Sequence, residues 1–240
     1  VDKNRPDLTP SSRTESIESQ ALHAYDMLRL RVRTAHVTPD VKFVEHNMIS
    51  TLGVSRQALR NSARRLADQG ILTRQVRDGT RVAGELYDFD TGRFSAIDWT
   101  AFELRETDAG QVIPSMGLVD RFGDVGQVSY NEQVLSAHGT PIGLRRAYFL
   151  NGVDAPERRD ACTSDPAVFS TVYGTTLARI ESALDVMDAD GHLMARLALR
   201  EGTRILLLSQ ALVDEDGTVQ EQSFWHFRGD RVSLTCTEAL

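Results

Sequence analysis

Leu52-Gly53-Val54-Ser55-Arg56-Gln57-Ala58-Leu59-Arg60 is the stretch on which the reading of this chain turns. A glycine after an apolar residue stops one helix, and a serine two positions later is a good N-cap for the next, because its hydroxyl can accept an orphan backbone N–H. The helix opened at Ser55 runs through Gln69 with Leu59, Ala63 and Leu66 inward, and Gly70 supplies a left-handed stop. Upstream, Glu45 begins a short helix with Met48, Ile49 and Leu52 as its buried face. Pro39-Asp40 separates it from a longer helix between Ser16 and Thr34, where Ile17, Ala21, Ala24, Tyr25, Leu28 and Val32 recur at spacings of three and four. Two short helices meeting at Gly53-Val54-Ser55 have helix-turn-helix geometry.

The outward face of the third helix carries Arg56, Gln57, Arg60 and Arg64. Arginine forks onto guanine O6 and N7, and glutamine onto adenine N6 and N7, so these types near a helix start suit the major groove of DNA. The helix N-terminus and the Ser55 hydroxyl favour a phosphate nearby. Ile71 to Ala83 reads as two short strands around Arg77-Asp78-Gly79, with Arg74, Arg77 and Arg81 exposed, which makes a wing. Charge divides accordingly. The chain carries −7 overall, yet residues 16–83 hold 11 Lys and Arg against 6 Asp and Glu, whereas 84–240 hold 13 against 25. One part is made to approach phosphates and the other would be repelled by them. A basic helix is by itself often only a solvated surface; the turn, the wing and the charge split together favour a DNA reader.

With 240 residues, 41% of them apolar, the chain is expected to form two domains. Residues 1–15 read as a polar, flexible arm, 16–83 as the winged helix-turn-helix, 84–92 as a linker, and 93–240 as the second domain. No apolar run reaches the length of a membrane span and the start lacks a signal-peptide core, so a cytoplasmic protein is expected. Cys162 and Cys236 have no companions at metal-ligand spacing; both read as free thiols, with no metal and no cofactor expected.

Beyond residue 93 the pattern changes to alternation. Gln127 to Ala137 and Pro141 to Leu150 read as strands joined through His138-Gly139, and Thr203 to Val213 and Thr218 to Phe227 as strands joined at Asp214-Glu215-Asp216-Gly217. Helical stretches near Pro166 to Leu177 and His192 to Arg200 interrupt them, giving an α+β domain with helices against an antiparallel sheet.

The front segment resembles the GntR family of bacterial transcription regulators on Leu52 to Arg60, Leu66-Ala67-Asp68-Gln69-Gly70-Ile71-Leu72 and Gly79-Thr80-Arg81-Val82. The resemblance implies that Arg56 and Arg60 contact operator bases or phosphates and that the wing enters the minor groove; Ser55, Gln57, Arg64, Arg77, Gly79 and Arg81 complete the expected DNA-binding set. One departure stands out. The family's second helix usually opens with a Pro-Ser-Glu-Arg-like stretch whose arginine touches DNA, and the matching residues here are Phe43, Val44, Glu45 and His46. The back segment resembles the UTRA effector domain of the HutC-type branch, which shares the chorismate-lyase fold. The carrying residues are Gly139-Thr140-Pro141-Ile142, the Leu197-to-Gly202 helix end, Asp216-Gly217 with Glu221, and Arg228-Gly229-Asp230-Arg231. That resemblance implies a homodimer with one effector pocket per subunit, bound to a two-fold operator, most often as a repressor.

Members of the branch that sense sugar phosphates hold them with an Arg-x-Arg pair, a Ser and a Tyr at a helix start, and a Glu on a neighbouring strand. The matching positions here are Gln133 and Leu135, then Ala167 and Phe169, then Arg145. A phosphate needs several donors converging on it, so the effector expected is not a sugar phosphate. Gln133, Arg145, Tyr148 and Glu221 are the expected effector-binding residues, suited to a carboxylate or a polar, partly apolar metabolite. Leu135 and Phe169 read as core or pocket wall. Arg228-Gly229-Asp230-Arg231 reads as structural, Gly229 permitting a bend and Asp230 accepting arginine or backbone bonds. Two rival readings remain open at this point: a chain with impaired DNA binding that acts through a partner, favoured by His46, and a lyase-like enzyme, for which no catalytic motif is present.

Overall fold

The structure is a computed structural model that describes residues 16–34, 41–75, 79–91, 101–150 and 164–236. The arm 1–15, Arg77 and Cys162 lie outside the described residues. The chain divides into two units, at Gly84 and Glu85.

In the first unit, α1 (Ile17–Thr34) is followed by β1 (Lys42–Phe43), α2 (Glu45–Leu52), α3 (Arg56–Asp68), β2 (Leu72–Gln75) and β3 (Gly79–Val82). Gly53 closes α2 at φ +64° and Gly70 follows α3 at φ +75°, both left-handed turns that glycine makes without steric cost. Ser55 caps α3 by accepting the Ala58 N–H at 3.2 Å. The core is formed where the periodic residues meet: Ala24, Leu28 and Val32 of α1, Ala58, Leu59, Ala63 and Leu66 of α3, and Ile71 and Val82 beside them are all buried. The expected inward face of α2 is only half-buried at Met48, Ile49 and Leu52, and Ile17 is exposed. Eight residues give α2 little area to bury. The wing strands pair as expected, Leu72 opposite Val82, and β1 adds a third strand through Lys42–Arg81 and Phe43–Thr80.

The second unit starts earlier than its alternation suggests. Residues 84–92 were expected as a linker, but β4 (Tyr87–Asp90) pairs in parallel with β11 (Val232–Thr235). The cause is Phe89, buried against Phe102 and Phe227 with ring centroids 5.3 Å away in each case. Between these ends run β5 (Glu103–Val112), α4 (Met116–Phe122), β6 (Val128–Ala137), β7 (Thr140–Leu150), α5 (Pro166–Tyr173), β8 (Leu177–Asp188), α6 (Gly191–Leu197), β9 (Arg204–Asp214) and β10 (Val219–Arg228). They form a six-stranded antiparallel sheet in the order β5-β6-β7-β10-β9-β8. Both expected hairpins are present; β5, α4 and β8 are additions to the sequence reading.

Successive side chains of a strand point to opposite faces, so the sheet separates two environments. One face packs Leu135, Leu208, Trp225 and Phe227 with Phe89 and Val232. The other packs Val134, Leu144 and Ile205 under Leu193 and Leu197 of α6, and Val128 under Leu118 and Phe122 of α4. The 228–231 tetrapeptide is structural. Arg228 donates from Nε and Nη2 to the two oxygens of Asp230 at 3.1 and 2.9 Å, and from Nη1 to the carbonyls of Pro141 and Leu197.

Candidate functional site

In the first unit, α1 fixes α3 along its length. Gln20 accepts the Ser55 N–H at 3.0 Å at one end, Ser62 donates to the Ala21 carbonyl at 2.6 Å in the middle, and Tyr25 donates to Gln69 at 2.8 Å at the other end. Arg65 lies 4.2 Å over the Tyr25 ring. With its apolar side seated, α3 presents Arg56, Gln57, Arg60 and Arg64, all exposed. Gln57 donates to Asn61 at 2.9 Å, which orients its amide along the helix. Glu45 of α2 accepts from Arg60 at 3.0 Å and lies 3.5 Å from Arg56. His46 is exposed beside it. Gly79 turns into the wing at φ +93°, Arg74 is exposed and Arg81 half-buried. An α-helix of this kind, with an array of guanidinium groups and a basic hairpin following it, has the chemistry to bind a DNA groove and its phosphates.

In the second unit, Gln133 on β6, Arg145 on β7 and Trp225 on β10 form one cross-strand row. The next row holds Asn131, Ala147 and Ser223, whose small central side chain leaves room for Arg145 to reach along the sheet. Arg145 donates to Gln133 at 3.0 Å and to Asn131 at 3.4 Å, forms an ion pair with Glu221, and sits 5.5 Å over the Trp225 ring. Tyr173, on α5, donates to the second oxygen of Glu221 at 2.8 Å. The side chains of Arg145 and Glu221 are 3% and 2% exposed, so this is a charge pair taken almost wholly out of water and held by added hydrogen bonds. Chemically the cluster offers amide, phenol and aromatic groups around a neutralised cation.

Three of the four expected effector residues, Gln133, Arg145 and Glu221, are thereby brought together, and Leu135 and Phe169 are fully buried. Tyr148 is not with them. It stands an odd number of residues from Arg145 and therefore points through the opposite face, where it packs against Tyr130 and Phe224 with centroids 6.3 and 6.2 Å away. Sequence reasoning missed Asn131 and Tyr173. Both carried a signal: Asn131 is two residues from Gln133 on the same strand, and Tyr173 is one helical turn beyond Phe169, their rings 4.7 Å apart.

The opposite face has its own charge centre. Glu132, 1% exposed, accepts from Arg146 at 2.7 Å and from Thr107 at 3.0 Å, meets His192 Nε2 at 2.8 Å, and lies 3.4 Å from Arg196. Burial alone would push its carboxyl up, but the hydrogen bonds from His192 and Thr107, with the charges of His192 and Arg146, hold it below the usual carboxylate range. Adjacent arginines, 145 and 146, are thus committed to carboxylates on opposite sides of one sheet.

Residues 20–82 match the model of the gntR family of bacterial regulatory proteins. No curated protein matches the sequence. Among solved structures, PhnF from Mycobacterium smegmatis is similar over 90% of this chain and 99% of its own, at 20% identity and a TM-score of 0.57. YydK from Bacillus subtilis is similar over 92% and 99%, at 12% identity and a TM-score of 0.53. The effector domain of PhnF alone covers 65% of this chain and 99% of itself, at 20% identity and a TM-score of 0.50. At these identities the structural likeness establishes the fold: a helical region with a small sheet, then a six-stranded antiparallel sheet with helices. The family match over residues 20–82 is to regulators and not to enzymes. Residues 20–82 are thus similar to the gntR family of bacterial regulatory proteins, and the second unit is similar in fold to the effector domain of PhnF.

Proposed function

We propose that this protein is a ligand-responsive transcription repressor that binds a two-fold operator as a homodimer, reading it through α3 and the β2–β3 wing. The observation that carries the proposal is the presentation of Arg56, Gln57, Arg60 and Arg64 on one exposed side of a helix fixed at both ends by α1. The partner-surface reading rested on His46, and it loses ground because Arg56 and Arg60 remain in place without an arginine at that position. Half-site spacing would then follow from the separation of the two recognition helices in the dimer.

The effector belongs at the Arg145 cluster. With Arg145 neutralised by Glu221, a phosphate would face a carboxylate where it needs donors, and a free carboxylate would have to displace Glu221. A polar, uncharged or zwitterionic metabolite with an apolar part fits best, able to bond amide and phenol groups and to lie against Trp225. Such a ligand releases the operator only if it binds the DNA-free arrangement more tightly than the DNA-bound one.

The test is selection of binding sites from randomised duplexes by the full chain, followed by anisotropy on the selected site with Arg56→Ala and Arg60→Ala. A shared inverted repeat bound tightly, and lost in the variants, supports the reading; no enriched sequence sinks it. Screening metabolites for release of that site, with sugar phosphates as expected non-responders, tests the second half.

A further inference from the structure

Glu45 occupies the first turn of α2, where the helix dipole favours a carboxylate. Its Oε1 lies 3.0 Å from Nε of Arg60 and 3.5 Å from Nε of Arg56. The two arginines are four residues apart on α3 and stand on one face, with half or more of each side chain exposed. The contact uses the Nε edge. The terminal Nη1 and Nη2, which form the fork that fits O6 and N7 of guanine, are not what Glu45 holds. Among the described residues neither arginine has another ion-pair partner.

A carboxylate at this place contributes little to folding, since exposed ion pairs are worth little. Its effect on DNA is larger and has opposite signs in two binding modes. A guanidinium free to swing settles on phosphates, which supply most sequence-independent affinity. One already ordered by its Nε edge loses less freedom on forking to a base, while the negative charge beside it weakens attachment to the backbone. We propose that Glu45 is a positioning residue that sets base discrimination by Arg56 and Arg60; this rests on the DNA-reading function above. Glu45 restrains arginines that would otherwise bind any sequence.

The experiment uses the full chain and the site selected from randomised duplexes, compared with a scrambled duplex of the same length at two salt concentrations. Wild type, Glu45→Ala and Glu45→Gln are measured by anisotropy, with thermal unfolding of each. Glu45→Ala is expected to lower the ratio of selected to scrambled affinity about tenfold, the scale of one good base fork, while scrambled binding stays equal or tightens a few-fold from the lost repulsion, roughly as one charge alters phosphate binding. Glu45→Gln keeps an acceptor oxygen and is expected to fall between, with both variants unfolding like wild type. A wild-type preference that both variants leave intact would overturn the positioning role alone, as would a parallel fall in both affinities. A wild type that selects no sequence would remove the DNA-reading function and this inference with it.

Discussion

Arg145 and Glu221, on neighbouring strands β7 and β10, face each other across an alanine–serine row and are both almost fully buried. Removing one member leaves the other as an uncompensated charge out of water. Arg145→Met is therefore expected to destabilise the second unit by about 3–5 kcal/mol, whereas Arg145→Met combined with Glu221→Leu recovers much of that loss. Urea unfolding of the two variants against wild type measures both. A cost below about 1 kcal/mol for the single variant would mean that water or a rearranged partner reaches Glu221.

Arg60→Ala on α3 is expected to cost about 1–3 kcal/mol on the selected site and to relax its base preference. Arg74→Ala in the wing is expected to weaken selected and scrambled duplexes alike and to reduce the salt slope by about one. Anisotropy across a salt series separates the two. Equal behaviour of the two variants would argue that α3 only touches phosphates.

Gly229 has no room for a side chain: a Cβ there would lie 2.8 Å from the Arg204 backbone carbonyl. That oxygen also accepts the Gly229 N–H at 2.9 Å, so neither strand can retreat without losing the bond. Gly229→Ala is expected to cost roughly 1–3 kcal/mol, read as a lower unfolding temperature with DNA affinity per folded molecule unchanged. An unaltered unfolding temperature would contradict the close approach.

Glu132 predicts the acid response. Its carboxyl is held below the usual range in the folded chain, so the folded state binds protons there less readily than the unfolded state does. The stability it supplies is complete above the unfolded carboxylate value of about 4.3 and is lost as pH falls through the lower, folded value. Glu132→Gln is expected to be less stable at neutral pH and to lose less on acidification between pH 5 and the acid limit of folding, as followed by urea midpoints across pH. Parallel curves for wild type and variant would show that other carboxylates govern acid unfolding.

Much of this molecule was legible in its sequence, and the parts that were not share a cause. Helices α1 and α3, with their glycine stops and Ser55 cap, follow from local spacing and chemistry. The two hairpins do too, because their turns at His138-Gly139 and Asp214 to Gly217 are short-range signals. Strand β8 gave no such signal: it lies at the sheet edge, and most of its residues are exposed, Leu184 and Val186 among them, so burial imposes no clean alternation on it. Strand β4 is a strand only because Phe89 finds a distant pocket beside Phe227. At the site, the fold brings Gln133, Arg145 and Glu221 together, as their expected grouping has it. Tyr148 failed where simple counting along the strand would have excluded it. The tie from Glu45 to Arg60 spans two helices and a turn, a relationship that spacing within either helix does not contain.

The consecutive arginines of β7 bear on how this gene can change. Arg145 is spoken for on one side of the sheet and Arg146 on the other. Deleting or inserting a single codon between Thr140 and Gly143 would present each guanidinium to the wrong side, leaving Glu221 and Glu132 both without their counter-ions at once. Codon loss in the turn at Glu215 and Asp216, which are exposed and lie between strands, carries no such double penalty. Length variation among descendants of this sequence is thus expected to collect in the turns and to spare β7, whatever ligand they come to recognise.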